Sequence, residues 1–198
     1  SDFFVTGTYP VNINSAMPVN CINGLTRRVI VHFNSTLIQP GNFQIVLQTG
    51  SDGNTILSEC DTPSVAGSAI PFTILPKPVA NFGFPASVCL PNAGVTFTNL
   101  SGISDGSENQ FRYLWNFADS LIGSNNISIQ KTPSHIYNNT GPFNVNLRVT
   151  SNGGCMHDTT ILLHTIHPQP ISNFGISKPD ICLGDAVFFS DSTNSMDG

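Results

Sequence analysis

The chain has 198 residues, room for one large domain or two small ones, and 10% of them are charged, against roughly 25% in an average soluble protein. Seven basic and twelve acidic side chains leave a net charge of −5, and no basic run is present to release counterions from a phosphate backbone, which makes nucleic acid a poor partner. Uninterrupted apolar stretches are a few residues long, far short of the ~20 that cross a bilayer as a helix, and no charged and apolar leader follows Ser1, so the chain reads as a mature form or an excised piece of something longer.

Short runs alternate apolar and polar residues between turn residues, which is the signature of strands with one buried face; helical periodicity is absent. In chain order the runs are Val29–Phe33, 43–48, 70–75, 95–98, 111–117 and Phe143–Thr150. In the last of these Phe143, Val145, Leu147 and Val149 share a face and every intervening residue is polar. Ser151-Asn152-Gly153-Gly154 tolerates positive φ and leads into a return strand over 160–166, a hairpin. In the run 111–117, Phe111, Tyr113, Trp115 and Phe117 fall on one face, with Asp119 and Ser120 just beyond. Two readings compete there: a catalytic Asp119 beside an aromatic platform, or a core strand closed by a turn aspartate. The second is preferred, because burying four large rings supplies several kcal/mol at ~25 cal/mol per Å². Strands at ~8–12-residue spacing with Gly-, Pro- and Asn-rich turns predict an all-β sandwich.

An internal repeat sets the domain plan. Ala80-Asn81-Phe82-Gly83 returns as Ser172-Asn173-Phe174-Gly175, and Val95-Thr96-Phe97-Thr98 returns as Val187-Phe188-Phe189-Ser190, each 92 residues on. Between them Val88-Cys89-Leu90 matches Ile181-Cys182-Leu183 with one residue inserted, and Asp105-Gly106 returns as Asp197-Gly198. Similar proline joints, Pro76-Lys77-Pro78 and Pro168-Gln169-Pro170, precede the two copies and stiffen as short spacers. The plan is a separate immunoglobulin-like β-domain over 1–76, one complete repeat over 77–168, and the opening strands of a second over 169–198, arrayed in tandem.

The complete repeat resembles the PKD (polycystic kidney disease) domain family. Tyr113-Leu114-Trp115-Asn116-Phe117-Ala118-Asp119-Ser120 is similar to the family's Trp-Asp-Phe-Gly-Asp-Gly signature. Pro133-Ser134-His135-Ile136-Tyr137 follows, and the run Gly141 to Thr150 resembles the family's Gly-Thr-Tyr-x-Val-x-Leu-x-Val strand. Ala118 and Ser120 stand where glycines are usual, which puts the geometry of that turn in question. The resemblance implies tandem immunoglobulin-like sandwiches with Phe111, Tyr113, Trp115, Phe117, Tyr137 and Phe143 in the core. The cysteine placement is similar to tandem modules of large surface or secreted proteins of Bacteroidetes.

The five cysteines show no metal-like spacing, and a charge-poor composition looks extracellular, where cysteines pair. The repeat pairs Cys89 with Cys155, leaves Cys182 without a partner where the chain stops, and by analogy pairs Cys21 with Cys60. In an immunoglobulin topology Cys89 and Cys155 fall at opposite ends, so their bond requires 85–90 to run back beside the last strand; free buried thiols and interdomain pairing are the rivals. Asn34, Asn99, Asn126 and Asn138 fit the N-glycosylation pattern, and Ser120, Thr159 and Ser192 fit the O-glycosylation motif that the bacterial resemblance implies; chance matches are the plainer account of both sets.

No Gly-x-Ser-x-Gly elbow is present, and the chain is expected to be no enzyme and to need no cofactor or metal. His135 reads as packed and hydrogen-bonded. His164 and His167, three apart in a strand, point to opposite faces. Cys155-Met156-His157 as a ligand pair, and Asp105, Glu108 and Asp119 as a loop calcium site, are weaker than a disulfide and a solvated loop. The expected role is a non-catalytic stalk, spacer or adhesin segment of a large extracellular or cell-surface protein, elongated in solution. Its partners would be neighbouring domains of the same chain, with surface glycans or other proteins as further partners. The alternative is an accessory carbohydrate- or protein-binding module of a secreted hydrolase, with Phe3, Phe4 and Tyr9 as a sugar platform or, more simply, as core. A third reading has the edge of the incomplete repeat pairing with another chain.

Overall fold

The computed structural model describes residues 1–23, 25–120 and 126–194. Among the described residues the regular structure is β apart from short 3₁₀ turns such as Glu108–Gln110, and no helix there is long and apolar enough to cross a membrane. The chain divides into two units, Ser1–Pro76 and Lys77–Gly198.

In the first unit β1 (Phe3–Gly7), β4 (Gly41–Leu47) and β5 (Ala69–Ile74) form an antiparallel sheet in the order β1-β4-β5, and β2 (Ile13–Pro18) pairs with β3 (Val29–Phe33) as a ribbon. The two pieces meet through aromatic rings: Phe33 of the ribbon stacks on Phe72 at 6.1 Å between centroids, and Phe72 on Phe43 at 5.3 Å. The buried apolar residues are Val11, Phe43, Val46 and Leu47. This is a small core, and many apolar side chains of the ribbon stay in contact with solvent.

The second unit is built around a sheet in the order β11-β10-β13-β14, from Ile127–Ser128, Arg112–Asn116, Phe143–Thr150 and Met156–Leu163. Against it lie two shorter pairs, β8 (Ala93–Thr96) with β12 (Ser134–Tyr137) and β6 (Phe82–Gly83) with β9 (Thr98–Asn99). Alternation explains the layering. Along β13 the burial follows the sequence pattern: Phe143, Val145, Leu147 and Val149 face the core, and the residues between them face out. Those side chains meet Ala80, Phe82, Val95 and Phe97 from the other layer in one hydrophobic cluster.

The β13–β14 hairpin departs from the sequence reading. The return strand begins at Met156 rather than near residue 160, with Thr150 opposite Met156 and Phe143 opposite Leu163. Its early part pairs through polar side chains: Arg148 Nε donates to Asp158 Oδ1 at 2.7 Å across the strands, and the guanidinium holds the Asp158 carboxyl below its usual range.

The strand directions place the two ends of the sandwich. The chain comes in beside the hairpin turn, where Val79 bridges to Gly102 and the Ala80 N–H donates to His157 Nδ1 at 3.0 Å; we call this the proximal end. The eight residues of β14, at ~3.3 Å each, then carry the chain about 23 Å away. At this distal end β15 (Ile166–His167) runs parallel to β7 (Val88–Cys89), with Val88 N–H donating to the Thr165 carbonyl and Leu90 N–H to the His167 carbonyl. Chain inlet and outlet thus lie at opposite ends of the sandwich.

Beyond it, β16 (Phe174–Ile176) pairs with β17 (Phe189–Asp191). The pairing copies that of β6 and β9: Phe174 opposes Asp191 as Phe82 opposes Asn99, and Ile171 bridges Asn194 as Val79 bridges Gly102. The Asp197-Gly198 match lies outside the described residues.

No bond joins any of the five cysteines in the structure, and the pairing expected for Cys89 with Cys155 is corrected by the strand topology. For Cys89 and Cys155 topology supplies the reason. The segment around Cys89 does run beside the last strand, but parallel to it and at the distal end, opposite His167, whereas Cys155 sits in the proximal hairpin turn, where its carbonyl accepts the Ser151 N–H. About 23 Å of strand separates these ends, against a limit of ~7 Å between the Cα atoms of a disulfide. Cys21 and Cys60 are both exposed, in the β2–β3 turn and the β4–β5 loop.

Candidate functional site

The densest arrangement of polar and aromatic side chains in the second unit is the turn that follows β10, with its neighbour β12. Trp115 and Phe117 are sealed, Phe111 is buried and Tyr113 half-buried against the same cluster. The Trp115 indole lies edge-on to Phe82 at 5.0 Å, and its Nε1–H donates to the Gln130 carbonyl at 2.8 Å, so the ring's polar atom is satisfied without reaching water.

Past Phe117 the backbone turns sharply. Ala118 has φ +58°, the left-handed region, at a position where the family signature carries glycine. The turn is held locally: Asn116 Oδ1 accepts the Ala118 N–H at 2.9 Å, and Asn126 Oδ1 accepts the Asp119 N–H at 2.7 Å. The alanine thus preserves the glycine-type geometry and carries its steric cost.

Asp119 and His135 meet in the interior, Nε2 to Oδ2 at 3.2 Å, with side chains 2% and 6% exposed. Phe117 stacks on the imidazole at 4.4 Å and Tyr137 meets it edge-on at 4.6 Å, while the Tyr137 hydroxyl donates to the Phe117 carbonyl at 3.0 Å. Burial, with the Asp119 carboxylate close by, pushes the Tyr137 phenol well above its ordinary value of 10. A carboxylate and imidazole side by side have the composition of an acid–base pair, but both side chains are buried, and Phe117 and Tyr137 pack against the imidazole. This buried polar contact joins the β10 turn to β12.

Other candidates disperse. Asp105 Oδ1 accepts from the Ser107 N–H and hydroxyl, and Glu108 Oε1 accepts the Ile103 N–H. Both precede β10, whereas Asp119 follows it, so no calcium shell gathers the three. His157 is occupied by the Ala80 N–H. Among the described residues no group of three metal-ligating side chains converges. His164 and His167 do not lie on one continuous strand as expected: β14 stops at Leu163 and β15 starts at Ile166, and both residues line one hollow at the distal end with Leu90, Leu162 and Pro142. In the first unit Tyr9 packs edge-on to Phe43 at 4.9 Å and donates to the Gln39 carbonyl, and Phe3 is half-buried, leaving Phe4 the most exposed of the proposed platform.

Of the glycosylation candidates, Ser120 and Ser192 are exposed and Thr159 is half-buried within β14; Leu121, the last residue of the Ser120 motif, lies outside the described residues. Asn34 and Asn138 are exposed, whereas Asn126 and Asn99 are half-buried and engaged with Asp119 and Ser101.

Two β-layers closed over a single tryptophan, with their polar groups spent on packing, define an immunoglobulin-like β-sandwich. Residues 76–166 match the family model of the PKD domain, so this sandwich is a PKD domain; the match covers just under half of the chain. No curated protein matches the chain. Among solved structures it is similar to the PKD1 domain of Vibrio anguillarum Epp, at 30% identity over 43% of this chain and 89% of that one, with a TM-score of 0.34. PKD domains are in general non-catalytic, extracellular structural or binding modules.

Proposed function

We propose that the chain is a stalk or spacer segment of a longer extracellular or cell-surface protein, with an immunoglobulin-like domain over 1–76, a PKD domain over 77–168 and part of a second PKD-like repeat over 169–198. Its partners on this reading are the neighbouring domains of the same polypeptide. The observation that carries it is the placement of inlet and outlet at opposite ends of the PKD sandwich, with the parallel β7–β15 contact between an early and the last strand. A load applied through the chain pulls those two strands past each other, so their hydrogen bonds are strained together rather than peeled one at a time. That is the geometry a force-transmitting spacer needs. The alternative, a glycan-binding accessory module, has less support, since Tyr9 is already committed to Phe43 and Gln39.

The test is single-molecule pulling on the full chain through its termini. A discrete lengthening of about 310 Å is expected: 92 residues at ~3.6 Å each give about 330 Å of chain, less the roughly 23 Å already spanned between the ends of the sandwich. Val88→Pro removes the N–H that donates to the Thr165 carbonyl, and a lower force for the same step is expected. Gradual extension without a step, or a step whose force ignores Val88→Pro, removes the reading.

A further inference from the structure

Two loops of the first unit face each other across open space. One joins β2 to β3 and carries Cys21; the other joins β4 to β5 and carries Cys60. Val19, Ile22 and Leu25 of the first loop and Leu57, Ser58 and Glu59 of the second line a single hollow of about 660 Å³. Leu25 and Leu57 also line a neighbouring hollow, with Ile56 beside Leu57 and Val29 at the start of β3, so the loops border each other over more than one stretch. Each cysteine is the chain neighbour of a lining residue, Cys21 beside Ile22 and Cys60 beside Glu59, and both are exposed.

Each loop is closed on itself. The Val19 N–H donates to the Arg28 carbonyl at 2.8 Å, and the Ser58 N–H to the Thr62 carbonyl at 2.9 Å. Among the described residues no backbone hydrogen bond crosses from one loop to the other, and no apolar side chain of either is buried. We infer that Cys21 and Cys60 form a modification site, at which oxidation joins the two sulfurs and draws the loops together across the hollow. The reaction is exchange with a low-molecular-weight disulfide such as oxidised glutathione. One protein thiolate attacks that disulfide and releases one glutathione; the second attacks the protein sulfur of the mixed disulfide and releases the other. The two electrons and two protons given up by the cysteines end on the two glutathione thiols. The new bond closes a loop of about 40 residues, and such a constraint stabilises by narrowing the unfolded ensemble. The unit has use for it, since its buried apolar residues are only Val11, Phe43, Val46 and Leu47. The inference is independent of the spacer reading, because both cysteines lie outside the PKD domain.

The experiment takes the full 198-residue chain, reduces it completely, and incubates it folded with a mixture of oxidised and reduced glutathione. Non-reducing peptide mapping should recover Cys21 linked to Cys60 within one chain, and Ellman's reagent should then find two fewer fast-reacting thiols than in the reduced protein. The thermal midpoint of the first unit should rise by about 10 °C and return to its starting value with dithiothreitol. Cys21→Ser and Cys60→Ser should each abolish the rise and leave the remaining partner carrying a single glutathione. The mapping needs no substitution, so it decides the matter even if a variant folds poorly. Glutathione on both Cys21 and Cys60 of the folded, unsubstituted chain overturns the inference, as does a Cys21–Cys60 link found only between two chains. A link that forms no faster in the folded protein than in urea also overturns it, because the fold then does nothing to bring the loops together.

Discussion

The Trp115 indole and the Gln130 carbonyl are joined by a 2.8 Å hydrogen bond, although the ring is 0% exposed. The chain's single tryptophan is therefore both the largest sealed side chain and a tie between β10 and the segment leading to β12. Trp115→Phe removes ring volume and orphans a carbonyl, and should cost about 2–4 kcal/mol of stability, read from urea unfolding followed by circular dichroism. In the unsubstituted protein, tryptophan emission should be blue-shifted and resistant to iodide until the PKD domain unfolds.

Backbone strain makes a paired prediction. Ala118 occupies φ +58° with a Cβ, so Ala118→Gly should stabilise the PKD domain by about 0.5–1 kcal/mol, the relief of the left-handed conformation exceeding the added freedom of the unfolded chain. Gly141 is the converse: φ is +81°, and a Cβ there would come within 2.7 Å of the Phe143 ring. Gly141→Ala should destabilise by about 1–3 kcal/mol. Thermal melts of the two variants should move in opposite directions; the same sign for both would break the assignment of these turns.

How far the residues alone disclose this depends on how local the cause is. The face of β13 and the sealed side of 111–117 follow from period-two alternation, which a strand imposes within its own residues. Alanine in place of the family's glycine at 118 put the geometry of that turn in question, and the residues alone did not disclose that the left-handed conformation is kept. The start of β14 was hidden because the core-side positions of its first part are His157 and Thr159, opposite Val149 and Leu147, rather than apolar residues, and Arg148–Asp158 is a cross-strand relation with no periodic signal of its own. The β7–β15 contact rests on two residues a side and joins positions 78 apart. The shared hollow of His164 and His167 depends on a break in the strand that the alternating pattern conceals. The Asp119–His135 contact was half legible, a packed histidine and a turn aspartate, without the fact that they meet.

Alkaline pH should act through Tyr137. Its phenol is held protonated in the fold by burial and by the nearby Asp119 carboxylate, so the folded state titrates above the unfolded value of 10. The sign follows: this contribution to stability is complete below pH 10, and it declines as pH rises further, because the unfolded chain gives up its proton first. Denaturant midpoints should therefore fall above pH 10. Tyr137→Phe should start less stable, having lost the bond to the Phe117 carbonyl, and its midpoint should fall less steeply over the same range. An equal slope in both proteins would place the alkaline sensitivity elsewhere.

The thiols provide the sharpest contrast between the cysteine pattern and the topology. Cys21, Cys60, Cys89 and Cys182 are exposed and Cys155 is half-buried, so Ellman's reagent should titrate four thiols quickly and the fifth more slowly in the folded protein, with the slow one lost in Cys155→Ser. The repeat tempts one to join Cys89 to Cys155, but these occupy the distal and proximal ends of the PKD sandwich, about 23 Å apart along β14. A disulfide there would need the Cα atoms within ~7 Å, which no adjustment of the hairpin turn supplies. After incubation with oxidised glutathione, non-reducing peptide mapping should recover no Cys89–Cys155 link. Recovery of that link in a protein that keeps its buried tryptophan emission would contradict the parallel β7–β15 pairing.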